Sequence, residues 1–326
     1  MKDKDKNESG SKMKRRDVLK GLATVPVLGA MAYGTWRKTR QDHIRSHKLA
    51  RELNMSTDEK EYTAYKHDGD IIRIGIIGFG IRGTQLMKAA GFAHPDAVQK
   101  LKDQAAENSQ DKRYADFLEQ DDLNIQVTGV CDLFDVHAQK AMEAAANIGR
   151  EGKGGALGPA PRRYQNYRDL LAADDIDAVI IATPWDLHTP MSVYSMKAGK
   201  PVGCEVPIAY TMEDCWQLIE PWEETGTPCM QMDNWSFRSD NLAILKMIRA
   251  GLIGNITHAH CAYSHDCIDH WYFERGTGNT RWGAQFLIDH NRAQYPTHQQ
   301  GPVLSWMDIN CGDYYDTITS TATDCF

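Results

Sequence analysis

The chain has no C-x-x-C pair and no histidine spacing of the kind that ligates zinc, although it holds eight cysteines. Cys131, Cys204, Cys215, Cys229, Cys261, Cys267, Cys311 and Cys325 are scattered, which fits core thiols better than a metal centre or a disulfide framework. No metal is expected; a Cys261–Cys267 bridge is left open, because spacing alone does not decide it. An excess of positive charge is also missing: 37 Lys and Arg stand against 44 Asp and Glu, a net of -7. What basic character there is gathers at the start, where Met1–Ala32 carries eight Lys or Arg and four Asp or Glu. The body is therefore more acidic than the whole, which excludes nucleic acid as a partner. No apolar run reaches the roughly 20 residues of a membrane helix; Gly21–Trp36 is broken by Pro26 and glycines. No internal repeat stands out. What is present, 42% apolar and 25% charged over 326 residues, describes a globular chain. Its length suits about two domains.

The first 36 residues read as an address rather than as fold. Lys14-Arg15-Arg16-Asp17-Val18-Leu19-Lys20 is a twin-arginine pattern behind a polar leader, and Ala30-Met31-Ala32 offers small residues for cleavage. Export by the twin-arginine machinery follows, to the periplasm or, if Arg37, Lys38 and Arg40 mark an uncleaved anchor, to the inner membrane. A plain amphipathic N-terminal helix is the alternative. Residues 37–69 read as a linker, 70–235 as a first domain and 236–326 as a second.

The chain is organised around Ile71 to Gly83. Ile71–Ile77 is β-branched and apolar, as a buried parallel strand requires. Gly78-Phe79-Gly80-Ile81-Arg82-Gly83 follows at once as G-x-G-x-x-G, and Thr84–Ala90 is helix-forming. In such a turn Gly78 makes the bend, Gly80 lets the backbone approach a pyrophosphate, and Gly83 lets helix and strand touch. The helix N-terminus offers free N–H groups to the anion. A second strand, Ile125–Asp132, ends on an acidic residue suited to ribose hydroxyls and to NAD over NADP. The gap to Asp132 exceeds the usual roughly 20 residues, because a charged, helical insertion (Phe92 to Asn124) intervenes. The plainer reading is an ordinary βαβ unit with Asp132 as a helix N-cap.

Further strands are expected at Asp177–Ala182, Pro201–Cys204 and Pro228–Met232. Ligands in open α/β sheets sit beyond the carboxyl ends of strands. Thr183-Pro184-Trp185-Asp186-Leu187-His188 should therefore line the cofactor cleft; the next two strands deliver Glu205-Val206-Pro207 and end at Asp233-Asn234. His188 reads equally as a ligand contact or a packing histidine, and Glu205 as a contact or a brace for Pro207. Helices are expected over Asp135–Ile148, Asn166–Ala173, Met191–Gly199, Thr211–Glu224 (Thr211 as N-cap) and Ser239–Ala250. Asn255–Asp266 alternates and is β-prone, the first strand of a second domain; on it Tyr263 and His265 share one face, His258 and His260 the other. Trp271, Tyr272 and Phe273 read as packing, with a sugar platform as the alternative, since aromatic faces suit sugar rings.

The glycine loop, Ala182-Thr183-Pro184 with His188, and Glu205-x-Pro207 together resemble the Gfo/Idh/MocA oxidoreductase family. Within it, Trp185–His188, Glu205-Val206-Pro207, Asn234 and Tyr295-Pro296-Thr297-His298 are similar to glycoside hydrolase family 109, NAD-dependent α-N-acetylgalactosaminidases. The resemblance implies an α/β fold, with a Rossmann domain followed by an incomplete α+β domain whose open sheet is mostly antiparallel. It implies NAD contacts from Gly78, Gly80, Ile81, Arg82, Gly83, Asp132, Trp185, Asp186, Leu187, His188, Glu205, Val206 and Asn234. Sugar contacts would come from Tyr263, Arg281, Tyr295, Pro296, Thr297 and His298, with Tyr263, His265 and His298 as the catalytic groups. A homo-oligomer is compatible with it. Three departures stand out. Val206 replaces the lysine that assists hydride transfer in the family's dehydrogenases; Gly283 stands where the hydrolase branch has arginine, leaving Arg281 as the nearest substitute; and the chain stops at Phe326, so part of the second sheet, with a further substrate tyrosine, is expected to be absent.

Three functions follow. The first is a glycosidase that uses transient oxidation at carbon 3, elimination, water addition and re-reduction, which needs a base near neutral pKa and an enolate donor. The second is a sugar oxidoreductase with retained NAD(P), and the third a non-catalytic carbohydrate binder.

Overall fold

A computed structural model describes Arg40 and residues 69–146, 160–291, 293–294 and 296–321. The chain divides into two compact units, residues 1–62 with 249–252 and residues 63–248 with 253–326; nearly all of the described residues fall in the second. The twin-arginine segment, most of the 37–69 linker, and Tyr295 lie outside the described residues. Among the described residues no helix is long and apolar enough to cross a membrane.

Six strands, β1 (Ile72–Ile77), β2 (Ile125–Cys131), β3 (Arg162–Tyr164), β4 (Ala178–Ile181), β5 (Val202–Cys204) and β6 (Cys229–Gln231), form one sheet in the order β3-β2-β1-β4-β5-β6. Every pairing is parallel. The chain winds outward from β1 to β3, then restarts beside β1 at β4 and winds the other way. The reversal lies between β1 and β4, where the crevice of a doubly wound sheet opens.

Successive side chains of a strand face opposite sides, and β1 divides its isoleucines accordingly. Ile77 joins Leu170, Leu171, Ile176, Val179, Ile181 and Met196 on one face. Ile76 joins Phe79, Met87, Val127, Val130, Ala141 and Ala144 on the other. Burial of each large side chain stabilises the fold by roughly 1.5–3 kcal/mol. Gly75 and Gly129 thin the sheet where a short helix lies on it: a Cβ on Gly75 would sit 2.6 Å from Leu170, and one on Gly129 2.7 Å from Ile176.

The helices up to residue 249 follow the expected places with shifted ends, and two short ones beyond residue 280 are unexpected. They are α1 (Ile81–Ala89), α2 (Pro95–Glu107), α3 (Arg113–Glu119), α4 (Asp135–Ala145), α5 (Tyr167–Leu171), α6 (His188–Lys197), α7 (Met212–Thr225), α8 (Ser239–Arg249), α9 (Ala284–Asp289) and α10 (Thr297–Trp306). The insertion after α1 is the pair α2 and α3, closed over its own small core of Ala93, Val98, Leu101 and Phe117. The α6 helix starts at His188 rather than Met191, because Pro190 in the first turn removes only an N–H that has no helical partner. Thr211 caps α7 through a reciprocal capping box with Asp214.

The antiparallel second sheet is not formed among the described residues. Residues 255–266 belong to no ladder, and among the described residues the bridges beyond β6 are isolated ones, Phe273 with Thr280 and Ile309 with Asp313. A β-prone run becomes a strand only when a neighbour satisfies its backbone groups, and no described segment pairs with this one in a ladder. The stretch from Cys267 to Ala284 packs through side chains instead, around Cys267, Tyr272 and Ala284, with Trp271 and Phe273 against them.

Candidate functional site

All six strands run the same way, so the loops after β1, β2, β4, β5 and β6 gather along one edge of the sheet. The loop after β1 is the glycine turn. Gly78 has φ +89°, and a Cβ there would lie 2.7 Å from the Ala182 carbonyl oxygen; only glycine meets both demands. Gly83 approaches Gly78 so closely that a Cβ would meet its carbonyl oxygen at 2.2 Å. Around Gly80 nothing lies within 4 Å of where a Cβ would be, which leaves an open cradle above the turn. The first turn of α1 contains no acidic side chain, so its free N–H groups face an anion without repulsion. A diphosphate fits this cradle.

Asp132, at the end of β2, is 8% exposed. Its Oδ2 accepts from the Phe79 N–H at 2.7 Å and its Oδ1 from the Phe134 N–H at 2.8 Å. It ties the glycine turn to β2, and each oxygen retains a lone pair. The N-cap of α4 is Phe134 rather than Asp132.

Glu205 follows β5 with its side chain 4% exposed, and its Oε1 lies 2.5 Å from an Arg82 Nη. Arg82 reaches it from the glycine turn, where it also binds Gln85. The Glu205 Oε2 accepts from the Val206 N–H at 3.3 Å. Val206, next to Glu205, is buried and carries no charge. His188 is 1% exposed. Its Nδ1 lies 2.7 Å from the Pro207 carbonyl oxygen and its Nε2 2.8 Å from that of Thr183. A neutral ring can donate to only one of them. Burial pushes His188 below the ordinary imidazole pKa, against those two hydrogen bonds. His188 thus staples the loop after β4 to the one after β5. Leu187 is partly buried against the core, and Asp186 is exposed.

Trp185, 5% exposed, is ringed by Trp271, Trp282 and Phe286 at centroid distances of 5.7, 5.4 and 5.1 Å. This aromatic cluster seats residues 271–286 on the sheet edge, and it gives Trp271 the packing role read from the sequence. It also shows why Gly283 carries no side chain: a Cβ there would lie 2.7 Å from the Trp271 carbonyl oxygen. Arg281 is exposed, with its Nε donating to the Phe273 carbonyl at 3.3 Å.

Beyond β6 lies a second cluster. His298, near the start of α10, has its Nδ1 2.5 Å from Asp233 Oδ1, and both residues are buried. Asp233 Oδ2 accepts from the Ser236 hydroxyl at 2.6 Å. Burial pushes Asp233 up in pKa, but hydrogen bonds from His298 and Ser236 outweigh it and hold the carboxyl below the ordinary aspartate value. The Tyr263 ring meets His298 edge-on at 5.2 Å, and its hydroxyl lies 3.2 Å from His265 Nδ1. Tyr263, His265 and His298 are thus brought together. Pro296 precedes α10, the Thr297 hydroxyl is buried with no hydrogen-bond partner among the described residues, and Asn234 is exposed. His258 and His260 are exposed. Asp233 and Ser236 were passed over in the sequence; the available signal was an acid at the carboxyl end of a strand.

Residues 72–232 match the family model described as an oxidoreductase family with an NAD-binding Rossmann fold, and residues 237–326 match the glycosyl hydrolase 109 C-terminal domain. With the strand order and the glycine turn, this defines an NAD-binding Rossmann domain followed by a hydrolase-type C-terminal segment. The chain belongs to the Gfo/Idh/MocA oxidoreductase family, on its glycosyl hydrolase 109 branch. Two similar relatives are glycosyl hydrolase family 109 proteins. The one from Shewanella sp. (strain W3-18-1) is 33% identical over 264 residues, and that from Shewanella pealeana 34% over 259, each alignment covering 78% of this chain and 48% of the relative. The chain therefore spans about half the length of these relatives. An NAD-binding protein from Listeria innocua is 25% identical over 56% of this chain and 42% of its own, at TM-score 0.38.

Proposed function

We propose that this chain is the cofactor-binding and acid–base part of an NAD-dependent, sugar-acting enzyme, and that it cleaves a glycosidic bond rather than oxidising a sugar to a released product. The observation that carries the reading is the joining of Tyr263, His265 and His298 beside Asp233, on the sheet edge that holds the glycine turn. NAD, when bound, supplies a hydride acceptor that returns the hydride within the same cycle. Gly78, Gly80, Ile81, Arg82 and Gly83 hold the diphosphate, and Asp132 receives the ribose. Trp185 to His188, Glu205, Val206 and Asn234 line the remainder of the cofactor groove. His298 removes the proton beside the sugar carbonyl and returns it, while the Tyr263 hydroxyl donates to the developing enolate oxygen and exchanges its proton with His265. Pro296, Thr297, Arg281 and Tyr295 orient the sugar. The buried Val206 leaves no lysine to drive net hydride transfer, which favours a closed redox cycle.

The purified protein, denatured and analysed by mass spectrometry, should release near-stoichiometric NAD. It should then cleave aryl N-acetylgalactosaminides without accumulating NADH. Net NADH with a free sugar would instead support a sugar oxidoreductase, and sugar binding without turnover a non-catalytic relative. We further propose export through the twin-arginine machinery, with cell fractionation of an Arg15→Lys, Arg16→Lys variant as its test, and a homo-oligomer, to be checked by light scattering.

A further inference from the structure

We propose that Asp233 is the positioning residue of an Asp233–His298 dyad, fixing His298 as the Nδ1–H tautomer so that its lone pair lies on Nε2. This inference rests on the acid–base role given to His298 above. Asp233 Oδ1 lies 2.5 Å from His298 Nδ1. A carboxylate can only accept there, so Nδ1 carries the proton. The other oxygen accepts from the Ser236 hydroxyl at 2.6 Å, and Oδ1 also takes the Trp235 N–H at 3.3 Å. Three donors thus orient one carboxylate that is 3% exposed.

The helix that carries His298 is brought to this carboxylate by the absence of a side chain. Gly301, three residues on along α10, faces it so closely that a Cβ would lie 2.5 Å from Asp233 Oδ2 and 2.2 Å from Ser236 Oγ. The rings of Trp235 and Tyr263 flank His298 at centroid distances of 6.1 and 5.2 Å, so the imidazole cannot swing away. When Nε2 takes a proton from substrate, the imidazolium faces an ionised carboxylate held by its other donors. The proton stays on the imidazolium and is handed back through Nε2, and Asp233 itself remains unprotonated. Orienting groups of this kind set both tautomer and basicity.

The test separates positioning from mere support. In Asp233→Asn the side-chain oxygen, in the place of Oδ2, can still accept from Ser236, while the amide NH2, in the place of Oδ1, gives up the weak Trp235 N–H bond, turns to His298 and forces the Nε2–H tautomer. In the full chain labelled with 15N, ring N–H correlations should assign His298 to Nδ1–H in the wild type and to Nε2–H in Asp233→Asn. The kcat of the variant should fall on the order of 10²- to 10⁴-fold with little change in KM, and Asp233→Glu should recover part of it. Gly301→Ala, which keeps the carboxylate but forces it away from α10, should weaken the downfield Nδ1–H resonance as well. An unchanged His298 tautomer in Asp233→Asn, or wild-type kcat in that variant, would overturn the dyad. If the wild type turns over no glycoside, the functional reading fails by itself, and the tautomer comparison still decides the role of Asp233.

Discussion

Arg82 and Glu205 join the glycine turn to the loop after β5, and the two halves of this pair should respond unequally to mutation. Glu205 is 4% exposed at its side chain, Arg82 33%, with 2.5 Å between them. Arg82→Ala leaves a buried carboxylate with one backbone N–H at 3.3 Å as its remaining donor. Breaking a buried pair from one side costs about 3–5 kcal/mol; the partial exposure of Arg82 lets water reach the site and lowers this to about 2–3 kcal/mol. Glu205→Gln removes the buried charge and leaves a guanidinium that can turn to solvent, at a cost of about 1 kcal/mol. The double variant has no unpaired buried charge and should lie near Glu205→Gln, more stable than Arg82→Ala alone. Urea unfolding of the cofactor-stripped protein, followed by tryptophan fluorescence, yields all four corners of the cycle. In melting temperature Arg82→Ala should lose roughly 4–12 °C. Equal costs for the two single variants, or a double variant less stable than Arg82→Ala, would refute the claim that desolvation of Glu205 governs this pair.

Three further outcomes follow from the same edge of the sheet. Gly78→Ala must place a Cβ 2.7 Å from the Ala182 carbonyl oxygen at φ +89° and should lower stability by on the order of 2 kcal/mol or more. Gly80→Ala, with nothing within 4 Å of the added carbon, should keep the urea midpoint and yet lose bound NAD by mass spectrometry; loss of stability in Gly80→Ala would contradict the open cradle. Acid should act through Asp233, whose carboxyl lies below the ordinary aspartate value because donors from His298 and Ser236 overcome its burial. Its stabilising contribution is complete above the unfolded carboxyl pKa of about 3.9. It is lost as pH falls through the lower folded value, so Asp233→Asn should unfold with a shallower acid dependence at the low-pH end.

The Rossmann half was legible because its signals are local. A β-branched run followed by G-x-G-x-x-G and a helix former is one contiguous statement, and Thr211 with Asp214 spells out its own capping box. Helix ends were harder, since Pro190 looks like a start signal while the first turn absorbs it without cost. The second sheet was the misjudged element, for the opposite reason. The alternation of residues 255–266 records only that a strand would suit those side chains; whether one forms depends on a partner whose presence no local pattern reveals.

The site divides along the same line. Gly78, Gly80, Gly83 and Asp132 lie in the contiguous pattern, the strand-end rule of an open α/β sheet located Thr183–His188 at one edge, and the family resemblance supplied Glu205 and Asn234. That rule names an edge and not a partner. Asn234 was chosen beside Asp233, yet Asp233 is the residue turned inward, and what turns it is His298, 65 positions away along the chain. Likewise His188 carries the chemistry of a ligand, but carbonyl oxygens from two loops occupy both nitrogens. Gly283, read as a lost arginine, is equally the place where the Trp271 backbone leaves no room for a Cβ. In each case the residue type was visible and the neighbour that decides its role was not, because the neighbour arrives through tertiary packing of the C-terminal segment against the sheet edge. That same packing, through the Trp185 cluster and Gly301, brings an acid at a strand end and a histidine on a helix into one hydrogen bond. Chemistry that depends on this contact should fail whenever the C-terminal segment is displaced, even with every residue of the glycine turn intact.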